Sequence, residues 1–233
     1  MATKIPKSGR ISAVATWPFG IGLTSWRYMW RTTPMSRGEE AADLLDHEPP
    51  ELPEGLDMDQ VQTHDAGTGP LFHRLYRAHI DGARMATTEV LARVQGDPNV
   101  IAPTEFARFH RLSGGSDMRF GDDYVVHMPG PWNGPVRVVD VCPTSFRFVT
   151  LDGHLEAGQI EFRADDRDGF RFEIESWARS GDRLSRIMYD GFRMAKEVQL
   201  HMWTSSLEQV VRLSGGKRKG PIEIATRRVE MDG

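Results

Sequence analysis

Phe170-Arg171-Phe172-Glu173-Ile174-Glu175-Ser176-Trp177-Ala178-Arg179 runs into Ser180-Gly181 and then Asp182, and two periodicities meet there. Over 170–179 the chain alternates with period two. Phe170, Phe172, Ile174 and Ser176 share one face, and Arg171, Glu173, Glu175, Trp177 and Arg179 share the other. That is the pattern of a strand with one buried face. Past Gly181 the period lengthens. Asp182 is placed to cap a helix, and Leu184, Ile187, Met188, Gly191, Met194, Ala195, Val198, Met202, Ser205 and Leu213 follow helical spacing. The reading predicts a helix to about Leu213, roughly 30 residues or ~45 Å long. A sheet with one apolar face has to be covered, and this helix is the cover.

Working outward, short apolar runs end at turn residues about every ten positions. Strands are expected over Leu71–Ile80, Phe106–Leu112, Asp123–Met128, Val136–Val141, Phe146–Leu151, Gln159–Ala164 and Phe170–Arg179, with a last one over Pro221–Val229. In the first of these Phe72, Tyr76, Ala78 and Ile80 share a face, His73, Arg77 and His79 take the other, and Arg74 and Leu75 blur the phase. Asp168-Gly169 suits a tight hairpin turn. Arg137, Arg147 and Arg163 are expected to pair with Glu161, Glu173 and Glu175 on the solvated face. A short helix is expected after Thr87 or Thr88, with Val90, Leu91 and Val94 as its apolar stripe. The class is α+β, with about seven strands in an antiparallel sheet.

The N-terminal quarter reads differently. Residues 1–36 hold Trp17, Trp26, Tyr28 and Trp30, with Lys4, Lys7 and Arg10 ahead of an apolar run from Ile11 to Leu23. Pro18, Gly20 and Gly22 interrupt that run and no small-x-small cleavage site follows, so the segment reads as mature protein. Two readings are open: an arm that docks its rings on the body, or peripheral membrane contact through residues 11–31. Residues 37–60, with Glu48-Pro49-Pro50-Glu51-Leu52-Pro53-Glu54, read as an acidic, mobile linker in which prolines prevent any regular element.

The composition excludes several classes. Of 233 residues 39% are hydrophobic and 27% charged, an ordinary soluble balance. Lys and Arg number 29 against 33 Asp and Glu, for a net charge of −4, so no positive field draws the chain to nucleic acid. Cys142 is the one cysteine, which rules out an internal disulfide and a Cys-based zinc knuckle. No apolar stretch reaches the roughly 20 residues a membrane helix needs. The dinucleotide fingerprint, the P-loop and the nucleophile elbow are all absent. No cofactor or metal is expected.

The order of elements resembles the helix-grip fold of the Bet v 1-like and START-like superfamily, in which a curved antiparallel sheet wraps a long C-terminal helix. The resemblance implies a cavity between the two and makes 61–233 the helix-grip domain. Local strings carry a narrower likeness. Gly121-Asp122-Asp123-Tyr124-Val125-Val126, Met128-Pro129-Gly130-Pro131-Trp132, Gly153-His154-Leu155-Glu156-Ala157-Gly158, Glu175-Ser176-Trp177-Ala178 and Glu197-Val198-Gln199-Leu200-His201-Met202-Trp203 resemble a bacterial, cytoplasmic member of the domain-of-unknown-function family nineteen-ninety. The likeness spans about residues 17–230, and it supplies no catalytic residues.

Candidate chemistry gathers in three places. His154 and Glu156 lie between two strands, and an extended chain there points both side chains the same way. An imidazole beside a carboxylate can act as a general base, and a strand-to-strand corner with satisfied backbone is the structural alternative. Glu197 and His201 are four apart on the long helix. Their spacing suits a metal, but a pair needs a third ligand, which His154 or Glu156 supplies only if the fold brings them close, and a helix-surface ion pair or a histidine bonded to backbone is the preferred reading. His127, Thr150 and Ser176 are inward-facing polar residues by alternation, the composition of a small-molecule site. The leading expectation is a small hydrophobic or amphipathic ligand, or a lipid, bound between sheet and helix. Its polar contacts would come from His127, Thr150, His154, Glu156, Ser176, Glu197 and His201. The alternatives are a cyclase, hydratase or hydrolase using His154 and Glu156, and a module docking a membrane or partner through the aromatic arm.

Overall fold

A computed structural model describes residues 35–41, 47–104, 107–112, 115–128, 133–181 and 193–231, with backbone alone for 35–41 and 193–198. The strands are β1 (Met35–Ala41), β2 (Thr68–Asp81), β3 (Arg108–Arg111), β4 (Asp123–His127), β5 (Asn133–Cys142), β6 (Ser145–Thr150), β7 (Glu156–Asp165), β8 (Phe170–Ser180) and β9 (Lys217–Val229). The helices are α1 (Thr87–Gly96) and α2 (Arg193–Leu213). All form one sheet in the order β1-β9-β2-β8-β7-β6-β5-β4-β3. From β9 to β3 every pairing is antiparallel, and β1 alone is parallel, on β9. The α+β class and all eight strands read from the sequence are present. The arm's aromatic cluster, the cap at Asp182, Gly191 and the first half of the expected long helix lie outside the described residues.

Alternation sets which face each strand buries. Phe72, Arg74, Tyr76, Ala78 and Ile80 of β2 share the inner face with Phe172, Ile174 and Ser176 of β8, and register aligns Arg74 with Ser176 and Tyr76 with Ile174. Phe146 and Phe148 of β6 continue this face. Phe162 stacks on Phe146 at 4.7 Å, and Tyr124 meets Phe148 edge-on at 5.6 Å. Leu200, Trp203, Leu207 and Val210 of α2 close over it, joined by Val90, Leu91 and Val94 of α1. Leu207, Val90, Leu91 and Val94 are wholly buried.

The outer face is charged but not bare. Glu173, 3% exposed, receives Arg163 at 2.7 Å, Arg77 and, as an ion contact, Arg171 at 3.3 Å. Desolvation pushes this carboxyl up, and the bonds and charge of Arg163 and Arg77 outweigh it, so its pKa lies below the usual range. Arg163 also reaches Glu175 and Glu161, as charge alternation predicts. Arg137 does otherwise: it pairs with Asp123 across the β4–β5 ladder at 2.7 Å. Arg147 donates to the Glu51 carbonyl.

Three expectations are corrected. The linker reading excluded regular structure over 37–60, but β1 takes up 35–41, where β9 offers a free edge for backbone pairing. Nor is 47–62 a loose tether. Leu56 is buried against Val139 and Val149, and Gln159 donates to the Pro50 carbonyl and Arg137 to those of Asp57 and Asp59. The segment is a strap across the outer face, held by side chains where its prolines preclude a ladder and by backbone bonds of Gln60 and Gln62 at its end. The stripe on α2 is also rephased. Its centre is Leu200, Trp203, Leu207 and Val210, while Met202 and Leu213 stay at the margin and Ser205 is half-buried. Finally, α1 begins without a side-chain cap, Ala86 standing at the cap position ahead of Thr87.

Candidate functional site

The inner face is mostly apolar, and one end of β2, β7 and β8 gathers a group of polar side chains. Arg74 stands there with only 5% of its surface exposed and its guanidinium 4.6 Å over the Phe72 ring. Its Nη1 is 3.8 Å from Glu156 Oε1, an ion contact too long for a hydrogen bond. Gln199 of α2 reaches across and its amide donates to both Glu156 oxygens, at 3.1 and 3.3 Å. A cation, a carboxylate and a carboxamide from three elements thus meet between sheet and helix. Ser176 lies beside Arg74 in register, 4% exposed, and its Oγ has no hydrogen-bond partner among the described residues. Trp203, one turn past Gln199, packs edge-on to Phe162 at 5.7 Å. Its Nε1 is buried and likewise without a partner.

His154 and Glu156 are neighbours but not a dyad. His154 Nδ1 lies 2.9 Å from the Glu156 amide nitrogen and 3.0 Å from the Glu156 carbonyl oxygen, so the ring is tied to the Glu156 backbone. The Glu156 carboxylate turns the other way, to Gln199. The pair fails because the corner is not extended: β7 starts only at Glu156, and His154 closes a turn, its amide bonded to the Leu151 carbonyl. Its ring lies against Gly134, where a Cβ would meet Cδ2 and Nε2 at 2.9 Å. Desolvation holds the imidazole below its ordinary pKa, against the pull of Glu156, so it is neutral at pH 7.

The other expected contacts scatter. Thr150 is buried, but its hydroxyl donates to the Gln62 carbonyl at 2.8 Å and accepts from the Gly158 amide at 2.9 Å, so it fastens the strap to the β6–β7 hairpin. His127 was expected to face inward, and it does not. The Tyr124 ring takes the inner side against Phe148, and alternation turns His127 outward, exposed and bonded to Asn133. His201 is buried but lies about 200° around α2 from Trp203, on the helix side away from the sheet. The Glu197 side chain lies outside the described residues. Among those residues no cluster of three His, Cys, Asp or Glu is arranged to hold a metal, and no helix is long and apolar enough to cross a membrane.

Arg74, Gln199 and Trp203 were missed from the sequence. Arg74 left a trace: an arginine breaking the apolar side of an otherwise alternating strand. Gln199, Trp203 and Leu207 repeat every four residues, a row that lies beside the stripe through Val198, Met202 and Ser205.

Among solved structures the chain is similar to the ginseng major latex-like protein 151 from Panax ginseng, at 11% identity over 62% of this chain and 98% of that one, with a TM-score of 0.46. It is similar to the di-domain ARO/CYC StfQ from the steffimycin biosynthetic pathway, at 11% identity over 65% of this chain and 52% of that one, TM-score 0.45. Protein Ms6760 from Mycobacterium smegmatis aligns at 16% identity over 60% of this chain and 89% of that one, TM-score 0.40. No curated protein matches the chain in sequence. The family model "Domain of unknown function (DUF1990)" matches residues 46–209, from the strap through β2 to β8 and most of α2, and the chain belongs to that family.

Proposed function

We propose that the protein binds a small, largely apolar molecule between the inner face of the sheet and α2, with Arg74, Glu156, Gln199 and Ser176 meeting its polar end. One observation carries the reading: a buried arginine, a part-buried carboxylate and a carboxamide from three elements converge on a mostly apolar face. Placing a cation and a carboxylate there costs desolvation that an apolar pair of equal volume would avoid. Such an arrangement is poor design for stability and suits recognition, because a few fixed polar groups in an apolar lining orient a ligand. Apolar area on the ligand contributes about 25 cal/mol per Å² buried, so ring-sized molecules bind without further chemistry. His154, neutral and tied to backbone, serves here to hold the β6–β7 corner that carries Glu156.

Native mass spectrometry of the full chain tests this, before and after incubation with an organic extract of cells. The expected result is a bound mass that leaves on denaturation and that Ile160→Trp, which fills the inner face beside Ser176, removes while the protein stays folded. A clean apo mass under both conditions overturns the reading.

A further inference from the structure

Near the polar end Ser176 Oγ and Trp203 Nε1 have no hydrogen-bond partner among the described residues. Both are at least nine-tenths buried. An unpaired buried donor costs roughly 1–3 kcal/mol.

Register fixes where they stand. Ser176 pairs with Ile160 of β7, and Trp203 lies over Phe162, the next inward residue on the same strand. Two residues of strand span about 7 Å, so one small molecule touches both. Their chemistry restricts what it carries. Indole N–H only donates, and a serine hydroxyl donates or accepts. The matching group is therefore an oxygen acceptor. An ammonium is excluded, having nothing to accept with. A carboxylate is disfavoured because the neighbouring cation, Arg74, already faces the Glu156 carboxylate, leaving no net positive charge to offset the burial of an anion. The surroundings, Phe146, Phe148, Phe162 and the Trp203 ring itself, suit a flat ring body.

We infer that Trp203 and Ser176 form a two-point anchor for the carbonyl or hydroxyl oxygen of an uncharged, ring-containing ligand. The inference rests on the interior binding proposed above. It assigns the specificity of that site to a donor pair distinct from the ion cluster.

The test uses the full chain and three probes sharing one body: 2-acetylnaphthalene, 2-ethylnaphthalene and 2-naphthoate. Affinities come from calorimetry, and the indole N–H resonances of ¹⁵N-tryptophan-labelled protein are followed alongside. The ketone is expected to bind roughly fivefold more tightly than the hydrocarbon, the worth of one net hydrogen bond. It should also bind more tightly than the carboxylate, and it should move downfield one indole N–H signal that Trp203→Phe deletes. Trp203→Phe should abolish the ketone's advantage while the hydrocarbon still binds, which shows the variant folded. Ser176→Ala should reduce that advantage in part. The inference is overturned if ketone and hydrocarbon bind equally, if the advantage survives both substitutions, or if the carboxylate binds best. In those cases interior binding itself stands. Binding of none of the three overturns the interior-binding reading, and this inference with it.

Discussion

His154 shows how one side chain can look catalytic and be structural. Its Nδ1 is bound to the Glu156 backbone, its ring fills the space a glycine leaves at 134, and desolvation keeps it neutral. A folded-state pKa below the ordinary 6.5 has a definite sign. As pH falls through the unfolded value, the unfolded chain takes up a proton that the folded chain refuses, so stability drops with acid from about pH 6.5 downward. We expect urea unfolding to show a smaller loss of stability between pH 7.5 and 5.5 in His154→Gln than in the wild type. An equal loss would mean that the ring is not desolvated. Arg74 makes the opposite point, since it was read as noise in a strand pattern and proves to be the one charge on the inner side of β2.

At the scale of elements the strap matters most. Residues 47–62 form no helix and no ladder, yet their carbonyls are met by Arg137, Arg147 and Gln159, and the Gln62 amide donates to the carbonyls of His154 and Glu156. The strap therefore bears on the corner from which Glu156 enters the site. Arg137 is its main fastening, 7% exposed, with donors shared between Asp123 and two strap carbonyls. Arg137→Ala should cost about 3 kcal/mol by leaving those acceptors unmet, and limited proteolysis should then cut between residues 51 and 60 well before the sheet is touched. A variant as resistant as the wild type would show that Leu56 and its apolar contacts hold the strap unaided. The charge alternation that predicted glutamate partners for Arg137 and Arg147 is a rule for neighbouring strands, and it had no means of anticipating that a proline-rich segment would lie over them.

Across the whole molecule one sheet separates two environments. The inner face, with both helices on it, forms a single apolar cluster from β2 through β9, and the outer face carries ion pairs and the strap. Because α2 shares that cluster with every long strand, loss of the helix contact should be felt everywhere. Leu207→Ala, at a wholly buried position, should cost about 3 kcal/mol and lower the midpoint of a single cooperative transition seen by both far-ultraviolet circular dichroism and tryptophan fluorescence. Two separated transitions would mean that helix and sheet melt independently.

The sequence by itself determined the class, the eight antiparallel strands and the covering helix, because burial on one face writes a period of two or of about 3.6 into the chain. It also placed Ser176 on the inner face, since the alternation from Phe170 to Arg179 is unbroken. Phase was lost where alternation was ambiguous. His127 went to the wrong face because both Tyr124 and Val125 are apolar enough to lead inward, and only the contact of Tyr124 with Phe148 chose between them. The meeting of Arg74, Glu156 and Gln199, from positions far apart in the chain, was decided by tertiary structure alone, as were the strap and the burial of Trp203 Nε1. Periodicity reports which side of an element is covered; it carries no information about which residue of another element does the covering.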